Sequence, residues 1–334
     1  MNDIRAEIKT YPAAEMKKEI SRDHSHIIFL STWVWLCMVI FTGCGSSEIQ
    51  EEEEKSIVVY TSQDRVYAEK IFKSFTDQTG IEVKAQFDNE SAKTMGLAKR
   101  LISEQIQPVC DVFWSNESMA ARKLANQGVV LGFEEFGHRS RVLIINTNHV
   151  DLAEAPESIK DLTLPKWKSK VAIAYPLFGT TATHFLALKE EWGPEIWEPW
   201  CQGLVANETK IVDGNSMVVR LVGAGESWIG LTDSDDLAVG LSKQLPLASV
   251  PLSNELCAIP NTVAMVQGAP HSELAMTFIQ FVQNKDVLEE MVNASALISA
   301  DLPPVGNDFL YIFWPEILTE QEESFTFLRN TFLR

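Results

Sequence analysis

The chain has 334 residues, 46% hydrophobic and 22% charged, enough to bury a full core and make two domains of ordinary size. Its 46 acidic side chains outnumber 28 basic ones, for a net charge of −18. That balance argues against any partner gripped through phosphates, so no nucleic acid is expected.

Residues 27–42 (IIFLSTWVWLCMVIFT) are an apolar-to-neutral run of 16, short of the ~20 residues a membrane span needs and suited to the core of a signal peptide. The run stops at Gly43 and Cys44, and 41–44 (FTGC) resembles the cleavage box of bacterial lipoproteins, with Phe41 where leucine is usual. The expectation is a lipoprotein signal peptide over 1–43, cleaved before Cys44, with lipid on that thiol and export to the periplasm or cell surface. An uncleaved anchor helix is the alternative. Met16, followed by Lys17 and Lys18, offers a second start. Residues 44–55 form an acidic tether with almost nothing to bury. With Cys37 and Cys44 in the leader, Cys110, Cys201 and Cys257 remain; they fit no zinc spacing, and a Cys201–Cys257 disulfide is left open.

From Ser56 the pattern alternates strand and helix. Apolar, β-branched Ser56–Tyr60 reads as a strand, 66–79 as an amphipathic helix closed by Gly80, and 81–87 as a second strand with alternating side chains. A helix carrying Met95, Leu101 and Ile102 follows, then a strand over 109–114, a helix through Ala125 and a strand over 141–146. Further strands are expected at 170–174, 209–212, 228–231 and 258–266. Helices are expected at 178–192, 194–204, 217–224, 234–244, 272–283 and 286–292, with a last helical segment from Thr319 carrying Phe325, Leu328 and Phe332. Repeated β-α units imply an α/β fold with a mostly parallel sheet and right-handed crossovers.

Four strand ends carry small polar clusters: Thr61–Asp64, Trp114–Glu117, Gly179–Thr181 and Thr232–Asp235. Asn215 and Ser216 form a fifth at a helix start. Each alone reads as a helix cap. Together they fit helix N-termini lining one cleft at the carboxyl ends of the strands, where open α/β sheets bind ligands. Free N–H groups there favour an anion, whereas Asp64, Asp233 and Asp235 favour a cation or amine. Trp114 either offers a ring face to a cation or packs in the core. His184 either borders the cleft or packs half-buried. No nucleotide-binding, phosphate-loop or nucleophile-elbow motif occurs, so neither a cofactor nor catalysis is expected.

Six runs in order, 60–65 (YTSQDR), 111–117 (DVFWSNE), 176–184 (PLFGTTATH), 212–216 (VDGNS), 230–236 (GLTDSDD) and 260–264 (PNTVA), resemble the extracellular solute-binding proteins of bacterial ABC importers, in the ferric-iron-binding-like branch. The resemblance spans about Ser56 to Pro303. It implies a type II periplasmic-binding-protein fold, two α/β lobes with a ligand cleft between them. Lobe 1 would comprise 56–145 plus 259–334 and lobe 2 would comprise 146–258, with crossings near 143–147 and 256–262. It implies a monomer that captures a small polar or cationic solute and delivers it to membrane permease subunits; a sensor subunit presenting its solute to a membrane receptor is the alternative. Ligand contacts are expected from Ser62, Asp64, Trp114, Asn116, Glu117, Thr180, Thr181, Ser216, Thr232, Asp233 and Asp235, with Asp233 and Asp235 as metal ligands if a cation is bound. Two departures stand out. Iron-binding members place adjacent tyrosines where this chain has Thr232–Asp235, but its tyrosines are Tyr11, Tyr60, Tyr67, Tyr175 and Tyr311. Relatives also carry a longer rim loop where Val130 here runs almost directly into the next strand.

Overall fold

The computed structural model describes residues 55–88, 95–304 and 309–333. The signal peptide, Cys44 and nearly all of the tether fall outside these residues. No described helix is long and apolar enough to cross a membrane.

The first lobe begins with β1 (Ser56–Thr61), α1 (Arg65–Thr79), β2 (Glu82–Phe87), α2 (Met95–Ser103), β3 (Val112–Ser115) and α3 (Met119–Asn126). Gly80 ends α1 at φ 71, its N–H donating to the Thr76 carbonyl, a left-handed cap that suits glycine. Strand β4 (Glu134–Asn146) follows, then β5 (Val171–Ala174), α4 (Gly179–Trp192), α5 (Pro194–Ala206), β6 (Lys210–Val212), α6 (Asn215–Gly223), β7 (Ile229–Asp233), α7 (Ser234–Ser242) and β8 (Leu247–Val250). The chain returns through β9 (Ala258–Met265), α8 (Ser272–Val282) and α9 (Lys285–Asn293), and ends in α10 (Trp314–Phe332).

Strand order is β2-β1-β3-β9-β4-β7-β5-β6, with β8 also on β4. Pairings are parallel within β2-β1-β3 and β7-β5-β6, as repeated β-α units require. They are antiparallel through the middle, where β9 and β4 run between the lobes.

The strand expected at 141–146 starts earlier, because residues 134–140 pair with β9 before 141–146 pair with β7 and β8. The change of partners falls between Ser140 and Arg141, ahead of the expected crossing at 143–147. A bulge interrupts β4 between Phe136 and His138. Gly137 there adopts φ 48, and a Cβ on it would lie 2.6 Å from Leu297 Cδ1, so a side chain fits neither the backbone nor the space.

The cores are separate. Ile57, Phe72, Phe75, Trp114, Val263 and Phe278 belong to one, on the β1–β3 side. Leu143, Ile173, Phe185, Trp200 and Leu231 belong to another, and so do Phe325, Leu328 and Phe332 of α10. The tail therefore packs with the core of lobe 2, not of lobe 1 as the division 259–334 would have it: Phe332 sits edge-on to Phe185 at 6.1 Å and Phe327 faces Trp197 at 5.1 Å. The aromatic side chains of α4 and α5 supply an apolar surface for a helical tail to cover. Cys110, Cys201 and Cys257 are buried free thiols, so the Cys201–Cys257 disulfide does not form.

Candidate functional site

Two arginines of β4 bond side chains from four of the five polar clusters, those at 61–64, 179–181, 215–216 and 232–235. Arg139 and Arg141 are 1% and 0% exposed, and their i, i+2 spacing turns both to one face of the strand. Opposite is the carboxyl end of β7, where Arg141 is in register with Asp233. Arg141 Nη1 donates to Asp233 Oδ1 at 2.6 Å, Asn215 Oδ1 at 3.1 Å and Thr180 Oγ1 at 3.3 Å. The Asp233 carboxylate is also held by the Thr180 hydroxyl at 2.6 Å and the Asn215 amide at 2.8 Å. Thr181 donates to Asn215 at 3.4 Å, and Thr232 donates to the Asn215 carbonyl at 3.1 Å. Asp233 is thus held by side chains from the first turns of α4 and α6.

Arg139 sits nearer the lobe boundary. Its Nη1 donates to Asp235 Oδ2 at 2.5 Å and lies 3.8 Å from Asp64 Oδ2 and 4.0 Å from Asp233 Oδ2, while Nη2 reaches Gln63 Oε1 at 3.5 Å. One guanidinium therefore ties the β1–α1 loop of lobe 1 to the start of α7 in lobe 2. Burial works against the Arg139 charge, but Asp235, then Asp233, Asp64 and Asp236, outweigh it and hold its proton more tightly than usual.

Outside this network lies a cavity of about 350 Å³ with walls from both lobes. Asp64, Tyr67, Phe87 and Asp88 line one side and Ser216, Asp235, Asp236 and Val239 the other. Arg65 also lines it, its guanidinium 3.9 Å from the Phe87 ring centroid and paired with Glu69. Among the described residues only Tyr67 brings a phenol to this cavity, and burial, followed by Asp235 and Asp64, pushes its pKa above the usual tyrosine value. Ferric salt added to the purified protein is therefore expected to give no tyrosinate-to-iron absorption band; an intense visible band on mixing would contradict this.

The remaining expected contacts are placed differently. Ser62 bonds Ser115 at 3.2 Å and Asn116 at 3.1 Å, joining the ends of β1 and β3 at the cleft floor. Asn116 lines a small pocket with Thr180, Thr181 and Asp233. Trp114 is a core residue, 0% exposed and edge-on to Phe72 and Phe278 at 5.6 and 5.9 Å, so its ring face meets no solute. Glu117 is committed to capping α3, accepting from the N–H groups of Met119 at 2.6 Å and Ala120 at 3.1 Å. His184 is buried beneath the cleft, bonding the Glu255 carbonyl at 2.6 Å; burial, then Arg141, pushes its pKa down to about 3, so it is neutral.

Asp233, Asp235 and Asp236 bring ligand oxygens within 4.8 Å of one another, a spacing a metal ion could bridge. Asp235 and Asp233 are also paired with the buried guanidiniums of Arg139 and Arg141, which any such ion would meet. Gln63, Tyr67, Asp88, Arg139, Arg141 and Asn215 escaped the list of expected contacts. The available signal for the arginines was their i, i+2 spacing ahead of an apolar strand, which demands buried counter-charges such as the carboxylates at 233–236.

Residues 57–290 match the model of a family described as bacterial extracellular solute-binding protein. The chain belongs to this family. Among curated relatives, the major ferric iron-binding protein of Neisseria meningitidis is 27% identical over 191 residues, 51% of this chain and 56% of that protein. The chain thus spans little more than half the length of that relative. Iron uptake protein A1 of Synechocystis is 25% identical over 300 residues, 77% of this chain and 82% of that one. In fold, this solute-binding protein resembles iron-bound HitA of Pseudomonas aeruginosa at a TM-score of 0.74 and 22% identity, covering 83% and 99% of the two chains. It equally resembles AfuA of Actinobacillus pleuropneumoniae with exogenous fructose-6-phosphate bound, at a TM-score of 0.74 and 16% identity, covering 83% and 98%. The fold is that of the type II periplasmic binding proteins. Two neighbours of this fold, one holding a metal cation and one a phosphorylated sugar, leave the ligand to be argued from this chain's own cleft.

Proposed function

We propose that this protein is the substrate-binding component of an ABC importer, exported and lipid-anchored through Cys44, and that it captures a small cationic solute without turning it over. As a monomer it would present the closed form to permease subunits. The observation that carries the ligand class is the placing of carboxylates on both walls of one cavity: Asp64 and Asp88 from lobe 1, Asp235 and Asp236 from lobe 2. A cation between them is attracted by both lobes, so its binding favours closure, and closure is the differential a permease can read. Phe87, Tyr67 and Val239 add apolar and aromatic wall for the body of an amine.

Calorimetry with a panel of small amines, and with phosphate, sulfate and a sugar phosphate as the anionic arm, tests the class. Saturable binding of an amine, with a matching rise in melting temperature, is the expected result. Saturable binding confined to the anions would overturn it.

A further inference from the structure

We propose that Arg139 is the specificity-determining residue of the cleft: its guanidinium occupies the place a metal ion would take among the carboxylates and reserves the outer cavity for organic cations. This rests on the cationic-solute reading above and narrows it.

The geometry is that of a filled seat. A divalent or trivalent ion binds carboxylate oxygens at about 2.0–2.6 Å, and Arg139 Nη1 already stands 2.5 Å from Asp235 Oδ2. The same nitrogen lies 3.8 Å from Asp64 and 4.0 Å from Asp233, so it sits where carboxylates of the two lobes meet. An ion bridging Asp233, Asp235 and Asp236 would have to displace a fixed positive charge. Unlike a solute, that charge cannot diffuse away, because β4 anchors it: Ser140 bonds Ser234 at 3.2 Å and Arg141 bonds the Cys257 carbonyl at 2.9 Å. Nor can deprotonation remove it, since arginine stays charged in proteins. An organic cation needs no such displacement. It approaches from the cavity side, where Asp64, Asp88, Asp235 and Asp236 line the wall together with Arg65.

A merely structural ion pair would hold the lobes equally well but would not govern which cations enter, and the two roles separate on metal affinity. Terbium and manganese binding would be measured by calorimetry on the full-length protein, on Arg139→Met, which keeps the stem and loses the charge, and on Arg139→Met combined with Asp235→Asn. The wild type is expected to show no saturable site sensitive to Asp235→Asn. Arg139→Met should gain one saturable metal site that the wild type lacks, and adding Asp235→Asn should abolish it. Should Arg139→Met not fold, Arg139→Gln carries the same comparison. A wild-type metal site that Asp235→Asn removes would overturn the proposal, as would folded Arg139 variants no better at binding metal than the wild type. A gain of metal affinity without amine binding by the wild type would support the role of Arg139 while rejecting the solute class.

Discussion

Asp233→Ala is expected to destabilise the folded protein by roughly 3–5 kcal/mol, the usual effect of removing one partner of a buried ion pair. The Asp233 carboxylate is 2% exposed and satisfies Arg141, Thr180 and Asn215 together. Without it the Arg141 guanidinium, 0% exposed, keeps only the neutral acceptors of Asn215 and Thr180, at 3.1 and 3.3 Å. At a few degrees per kcal/mol in domains of this size, the melting temperature should fall by on the order of 10 °C. Asp233→Leu with Arg141→Met should recover most of the loss, because replacing both charges leaves none uncompensated. A melting temperature for Asp233→Ala within about 2 °C of the wild type would show that Arg141 does not depend on this carboxylate.

The same network changes what the cleft does before any solute arrives. A residue read as a ligand contact is often one that can be removed without harm to the empty protein. Asp233 and Asp235 do not have that freedom, because the arginines they neutralise belong to the strand that joins the lobes. Arg139 reaches Asp64 and Gln63 on one side and Asp235 on the other, so it opposes separation of the lobes even without ligand. For the cationic solute proposed above, the share of the closure energy is correspondingly what the outer carboxylates add. Stability and selectivity are coupled here through one side chain, which is why loss of charge at Arg139 is read best through a gain of metal binding.

Strand ends were legible because a buried apolar run such as Ile229–Leu231 must stop where side chains become polar, and this happens at the cleft. The alternation of strand and helix fixed the order of nearly every element for the same reason. Residues 134–140 escaped, because a stretch containing Glu134, Glu135, Gly137, His138 and Arg139 has no apolar period. It is a strand only because β9 supplies its hydrogen bonds. The short β8, Leu247–Val250, likewise depends on β4 and was not anticipated. Sequence also shows which residues are acidic but not which positive charge each will face, since Arg141 and Asp233 are 92 positions apart. Trp114 shows the converse limit: a tryptophan beside a polar cluster looked available, but strand alternation turns it inward onto Phe72 and Phe278.

Glu117 should give the protein a stability that falls as pH rises from 4.5 to 7. Its carboxyl is 1% exposed, and burial raises its pKa from 4.5 to about 7, although the Ala120 and Met119 N–H groups and Arg122 pull the other way. A raised carboxyl pKa means that the folded state holds a proton the unfolded chain has released. The group's contribution is therefore fully present below 4.5, declines across the window and is lowest above 7. The full shift corresponds to roughly 3 kcal/mol. Glu117→Gln keeps a carbonyl for capping the first turn of α3 but cannot ionise, so its advantage over the wild type should grow between pH 5 and pH 8 by up to that amount. Denaturant melts of both proteins at the two pH values measure it, and parallel pH dependences would show that Glu117 does not titrate in this window. Because Glu117 lines a pocket of about 80 Å³ with Leu177 and Gly179 of the opposite lobe, alongside Lys99 and Lys123, its ionisation is placed where the lobes touch.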